Sequence, residues 1–201
     1  MKDFVYLASA SPRRLQLLTQ LGMECRVVPA DVDEARQPGE SPARYVLRLA
    51  QEKAAASRQQ LGDVAEAVIG ADTSVVLGAS ILGKPRDAEH AQAMLASLSG
   101  RTHEVITAVA VLSQGRTEQV LSRSQLRFRH VSPAEARAYW ASGEPADKAG
   151  GYAIQGLGAV FVESLQGSYS GVVGLPLFET AALLTSCGYA LLDSNTGDER
   201  G

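Results

Sequence analysis

Short apolar runs alternate with amphipathic stretches along the chain. Residues 4–8 are an apolar run of strand length. Ser11-Pro12 then starts a helix, with the serine as cap and the proline in the first turn. Leu15, Leu17, Leu18 and Leu21 supply its stripe, and Gly22 is placed to stop it. Residues 25–28 predict a second strand, and the acidic segment 29–41 (PADVDEARQPGES) a loop. Ser41-Pro42 opens a helix reaching about Leu61, with Tyr45, Val46, Leu49, Lys53 and Ala56 at helical spacing.

The run AEAVIGA predicts a strand to Ala71, closed by Asp72, which residues 75–77 continue or pair with. Residues 87–98 read as a helix with a stripe at Ala91, Met94, Leu95 and Leu98. Residues 105–112 and 118–128 read as strands joined by a turn at Ser113-Gln114-Gly115. A short helix is expected over 133–140 and a last one over 176–187. Between them, 8 of the 32 residues in 143–174 are glycine, yet Tyr152, Ile154, Leu157, Phe161 and Val172 are interspersed. That mixture predicts ordered backbone that bends tightly, not a linker. The pattern is that of a single α/β domain over 1–192, a mixed central sheet flanked by helices, with a frayed tail at 193–201. In such sheets ligands bind beyond strand C-terminal ends.

Composition narrows the function. The net charge is −3, and with no stripe of basic and aromatic residues the chain is not expected to bind nucleic acid. Cys25 and Cys187 lie in no CxxC pair, so both are expected as reduced thiols in the cytoplasm. No run approaches a membrane span and no secretory leader is visible. The GxxxxGK[ST] loop, HExxH and GxSxG are all absent.

Four polar clusters carry the candidate chemistry. Ser9, Ser11, Arg13 and Arg14 stand at a strand-to-helix junction. Two arginines in a first helical turn oppose the helix dipole, a conflict that an anion at that N-terminus removes. Asp31, Asp33 and Glu34 offer hard oxygen ligands suited to Mg²⁺ or Mn²⁺, or form a solvated turn. Asp72 lies among apolar residues, where a carboxylate needs a partner, a metal or a chemical role as base. Lys84, between Gly83 and Pro85, can extend to a phosphate. Gln155, beside Ile154 and Gly156, can read a base edge, since an amide donates and accepts side by side. Thymine and uracil both present an acceptor beside a donor; cytosine presents the reverse, so discrimination requires neighbours that fix the amide.

Seven segments in order, LASASPRR, EKAAA, IGADTSVV, LGKPRD, MLASLSGRTHEVITAVAV, SGEPADKAGGYAIQG and VVGLPLFET, resemble the Maf family of nucleoside triphosphate pyrophosphatases. The resemblance runs from about Tyr6 to Leu184. It implies two lobes with an active-site cleft between them, a homodimer, and release of pyrophosphate from a nucleoside triphosphate. It implies Asp72 as proton acceptor, and Ser11, Arg14, Lys53 and Lys84 on the substrate phosphates. Glu34 and Asp72 are implied as ligands of Mg²⁺ or Mn²⁺, and Arg13, Thr73 and Gln155 as specificity positions. The last three and the motif GYAIQG are similar to the subgroup acting on dTTP and UTP, extending to dUTP and modified pyrimidine nucleotides. Ala153 and Gly171 depart from the family's usual residues near the base pocket. The alternatives are the sister activity on 7-methyl-GTP and a non-catalytic nucleotide-binding regulator of septum formation.

Overall fold

Seven strands form one sheet in the computed structural model, which describes residues 4–191. The expected tail at 193–201 lies outside the described residues. The strands are β1 (Phe4–Leu7), β2 (Glu24–Val27), β3 (Val68–Leu77), β4 (Ser80–Leu82), β5 (Thr102–Ser113), β6 (Arg116–Phe128) and β7 (Val162–Gln166). The helices are α1 (Pro12–Gln20), α2 (Pro42–Leu61), α3 (Ala88–Leu98), α4 (Pro133–Ala141), α5 (Tyr169–Val173) and α6 (Leu177–Ser186). The order across the sheet is β2-β1-β3-β5-β6-β7, with β4 also against β3. β1 is parallel to β2 and β3; every other pairing is antiparallel. This is the mixed α/β class the sequence predicts.

The local signals explain most boundaries. α2 begins after Ser41, whose side chain accepts from the Arg44 N–H, and stops at Gly62, where φ is 76°. The turn between β5 and β6 places both Gln114 (φ 49°) and Gly115 (φ 74°) in the left-handed region. That is the backbone a two-residue hairpin of right-twisted strands requires. The glycine-rich stretch is ordered as expected, through short 3-10 turns, β7 and α5.

β3 runs through Asp72 to Leu77, so residues 75–77 continue the strand, one of the two expected arrangements. The reason is pairing, since β5 follows it residue for residue from Val68↔Leu112 to Val76↔Glu104. The opposite edge of β3 is different. β1 pairs with it only as far as Ile69, and β4 begins only at Val75. Asp72 and Thr73 therefore stand where this edge is open.

Alternation along β3 and β5 sorts the core. Val68, Val76, Ile106, Ala108 and Ala110 pack against Val46, Ala50 and Ala54 of α2. On the other face, Ile69, Ala71, Val109 and Val111 meet Leu17, Leu18 and Leu184, while Val75, Val105, Leu126 and Phe128 meet Leu95, Leu98 and Tyr139. Between these two clusters runs a polar seam, Thr73, Thr107 and Ser122, aligned across three strands by register.

Gly70 fixes the approach of α2 to the sheet. A Cβ there would overlap the Ala50 carbonyl and come within 2.7 Å of Ala54 N and 2.9 Å of Ala54 Cβ. Backbone cannot yield as a side-chain tip can. Gly70→Ala is therefore expected to cost about 2–3 kcal/mol, at the upper end of overpacking effects. Urea denaturation of the purified variant measures it, and an unchanged midpoint would contradict the packing described.

His103 makes the fold sensitive to acid. It lies inside β5, 3% exposed. Its Nε2 is 2.7 Å from the Tyr152 hydroxyl, its Nδ1 has no hydrogen-bond partner, and its ring stands edge-on to Phe128. Burial pulls its pKa down to about 4. The unfolded chain binds this proton at higher pH than the folded one does, so stability is complete above about pH 6.5 and falls as pH drops toward 4. The loss is about 3 kcal/mol. His103→Phe should flatten that part of the stability–pH profile; a profile with the same slope would assign the acid sensitivity elsewhere.

Candidate active site

The open edge of β3 borders a cavity of about 630 Å³. Its walls come from the β1–α1 junction, the acidic loop, β3, the segment after β4, and residues 147–155. All nine candidate residues line it: Ser11, Arg13, Arg14, Glu34, Lys53, Asp72, Thr73, Lys84 and Gln155. Asp31 and Asp33 do not; the Asp33 side chain instead closes a local turn by accepting from the Ala35 N–H. Arg13 and Arg14 face the cavity from the first turn of α1, where Ser11 makes no side-chain capping bond and no acidic residue is present. The helix N-terminus thus keeps its affinity for an anion.

Arg14 is held at three points. Its Nε donates to the Gly174 carbonyl at 2.9 Å, one Nη to Ser9 Oγ at 3.2 Å and the other to Thr73 Oγ1 at 3.3 Å. Thr107 Oγ1 lies 2.9 Å from Thr73 Oγ1 and 2.7 Å from the Gly171 carbonyl. Thr107 has one proton and a carbonyl can only accept, so Thr107 donates to Gly171 and Thr73 donates to Thr107. Thr73 then presents a lone pair to Arg14, and the chain of bonds ties α1, β3, β5 and α5 together. Burial lowers the Arg14 pKa from the usual arginine value, while the Asp72 charge opposes that shift. Thr107 escaped the sequence reading; the signal that could have found it is its register opposite Thr73.

On the other face of β3, Asp72 meets Lys53 of α2. Lys53 Nζ donates to Asp72 Oδ1 at 2.8 Å and to Glu34 Oε1 at 2.7 Å. One ammonium thus bridges the strand carboxylate and the loop carboxylate. Asp72 and Lys53 side chains are each 11% exposed, Glu34 55%. Burial raises the Asp72 pKa, against the charges of Lys53 and Arg14 that lower it. For Glu34 burial is outweighed: Lys53, Lys84 and Arg14 together hold its carboxyl below the ordinary range. The loop carrying Glu34 is fixed by α2, since the Tyr45 hydroxyl donates to the Glu34 carbonyl at 3.0 Å and Arg48 grips both oxygens of Glu40.

Lys84 is exposed at the rim. Arg13 lies 4.0 Å from the Asp147 carboxylate, which Lys148 also engages. Gln155 lines the cavity from an exposed turn.

Residues 4–187 match the family described as Maf-like protein. The chain belongs to the Maf family. A dTTP/UTP pyrophosphatase of Saccharophagus degradans is 54% identical over 182 residues, 90% of this chain and 87% of that protein. One from Nitrosomonas europaea is 50% identical, covering 93% of this chain and 96% of the relative. One from Hahella chejuensis is 51% identical, covering 90% and 91%.

Maf relatives so named act on nucleoside triphosphates, and the cavity suits such a ligand: arginine and lysine cations, an amide and two carboxylates all line it. The donor set fits a hard divalent cation. Among the described residues no group of three His, Cys, Asp or Glu side chains gathers as for a metal cage. Glu34 and Asp72 both reach the Lys53 ammonium, so their carboxylates lie close together in the cavity, and one or two carboxylates are what Mg²⁺ uses when substrate phosphates and water complete its shell. Among the described residues, no helix of this Maf chain is long and apolar enough to cross a membrane.

Proposed function

We infer that this Maf protein hydrolyses dTTP and UTP, and by extension dUTP and modified pyrimidine triphosphates, to the monophosphate and pyrophosphate. The observation that carries the chemistry is the buried carboxylate of Asp72, paired with Lys53 and facing the same cavity as the α1 N-terminus. The relatives' shared name carries the substrate.

In this reading the triphosphate lies against the first turn of α1. Ser11 and Arg14 hold its oxygens, and Lys84 covers them from the rim. Arg14 reaches the reaction pre-oriented by Ser9, Thr73 and Gly174, so little reorganisation is required as negative charge builds on the phosphate oxygens. Lys53 neutralises charge between Glu34, Asp72 and the phosphates. Asp72 accepts the proton of a water attacking at the α–β bridge. Burial raises its pKa and makes it a stronger base than a solvated aspartate, while Lys53 favours its ionised form. Glu34 and Asp72 supply the oxygens for Mg²⁺ or Mn²⁺, which when bound contributes Lewis acidity toward phosphate and water. Gln155, with Arg13 and Thr73, selects the base. The protein works in the cytoplasm as a homodimer, without nucleic acid.

The test is pyrophosphate release with Mg²⁺ or Mn²⁺ from dTTP, UTP, dUTP, CTP, GTP and 7-methyl-GTP, with orthophosphate followed in parallel. Fast pyrophosphate release from dTTP and UTP supports the reading. Preference for 7-methyl-GTP would keep the chemistry and overturn the substrate. No turnover on any nucleotide would leave a nucleotide-binding regulator.

A further inference from the structure

Gln155 can tell uracil from cytosine only if its turn is fixed, and the side chains that fix it do not line the cavity. Two backbone N–H groups just after Gln155 point at one carboxylate: Leu157 N donates to Glu144 Oε2 at 2.8 Å and Gly158 N to Glu144 Oε1 at 2.9 Å. Glu144 Oε1 also accepts from the Tyr139 hydroxyl at 2.6 Å. Tyr139 in turn accepts from the N–H of Ala153, on the other side of Gln155, at 3.0 Å. One carboxylate–phenol pair therefore grips the turn on both flanks of the residue that reads the base. The packing leaves no slack. A Cβ on Gly156 would run into the Glu144 carboxylate, and one on Gly158 would come within 2.6 Å of the Tyr139 oxygen. Tyr139 is 5% exposed and is anchored against Phe161, so the clamp stands on the core of α4.

We propose that Glu144, with Tyr139, is a specificity-determining positioning residue that sets the base-reading turn without touching substrate. The proposal rests on the reading of Gln155 as the base selector. A carboxylate suits the task because three donors converge on it, and bonds to an ionised acceptor are the stronger kind. The three donors and nearby Lys148 outweigh burial and keep its pKa below the ordinary glutamate value, so the clamp is charged at neutral pH. A glutamine in its place has one acceptor oxygen and a donor-only amide nitrogen. At least one of the three donors would then face another donor.

The experiment compares Glu144→Gln and Tyr139→Phe with the parent on UTP, CTP and ribose 5′-triphosphate, which has the phosphates and sugar but no base. Circular dichroism and thermal melting confirm that each variant is folded. The expected result is a fall of about tenfold or more in the UTP/CTP ratio of kcat/KM, carried by KM for UTP. Turnover of ribose 5′-triphosphate should change by less than about threefold. Glu144→Asp, which keeps the charge but shortens the reach, should fall between parent and Glu144→Gln. An unchanged UTP/CTP ratio in folded variants overturns the proposal, and so does an equal loss on all three substrates, the mark of a merely structural role. A parent enzyme that does not discriminate between UTP and CTP, or a Gln155→Ala variant that discriminates as the parent does, would instead refute Gln155 as selector.

Discussion

Asp72→Asn is expected to lose about 10²- to 10⁴-fold of turnover, the span of a general base, while still binding nucleotide. Asparagine keeps the shape of the side chain, and its carbonyl oxygen can still accept from Lys53, which also remains paired with Glu34. What disappears is the basic oxygen. The substitution should not destabilise the fold, because a carboxylate with an 11% exposed side chain gives up hydration that an amide does not need. Three measurements separate these effects: kcat from pyrophosphate release at saturating UTP, nucleotide affinity by calorimetry, and the thermal midpoint. Turnover within about threefold of the parent would remove Asp72 as proton acceptor. Loss of binding together with turnover would make Asp72 a ligand-holding group instead.

How much of this was legible in the sequence depends on how local the signal is. The bounds of α2 follow from Ser41-Pro42 and Gly62, and the β5–β6 hairpin from Gln114-Gly115; neither depends on distant residues. Asp72 stood out because a carboxylate in an apolar run needs a reason. The same run left open whether residues 75–77 continue the strand or pair with it, because what carries the strand on is β5, some thirty residues away in sequence. β4, β7 and α5 were not anticipated: at three to five residues they have no period of their own and exist through their neighbours. Lys53 occupied a position on the helical stripe that reads as core, and only the fold shows that this face of α2 ends at a cavity, not in the hydrophobic interior. Likewise Glu34 was one of three acidic residues in a loop. The family resemblance singles it out over Asp31 and Asp33, while composition alone does not, and Tyr45 and Arg48 pin that loop from the helix.

Lys53→Met tests whether the ammonium is what keeps the Asp72 carboxylate usable. Methionine fills a similar volume, so the change is mainly one of charge. Removing one partner of a buried pair leaves the other uncompensated, at a cost of about 3–5 kcal/mol. Asp72 can escape part of that by holding a proton, since burial already raises its pKa and Lys53 is the largest opposing influence. The sign follows. In the variant the folded state binds this proton up to a higher pH than the unfolded chain does. The stability it contributes is therefore full below the unfolded aspartate value and is lost as pH rises through the raised one. The deficit relative to the parent should be larger at pH 8 than at pH 5 in urea denaturation. Turnover should behave in the opposite sense, weakest in acid and recovering as pH rises, because only the ionised carboxylate accepts a proton. The double variant Asp72→Asn, Lys53→Met removes both charges and should regain most of the stability lost in Lys53→Met, a coupling that two independent sites would not show. Additive losses in that cycle would mean that the 2.8 Å contact contributes little in solution.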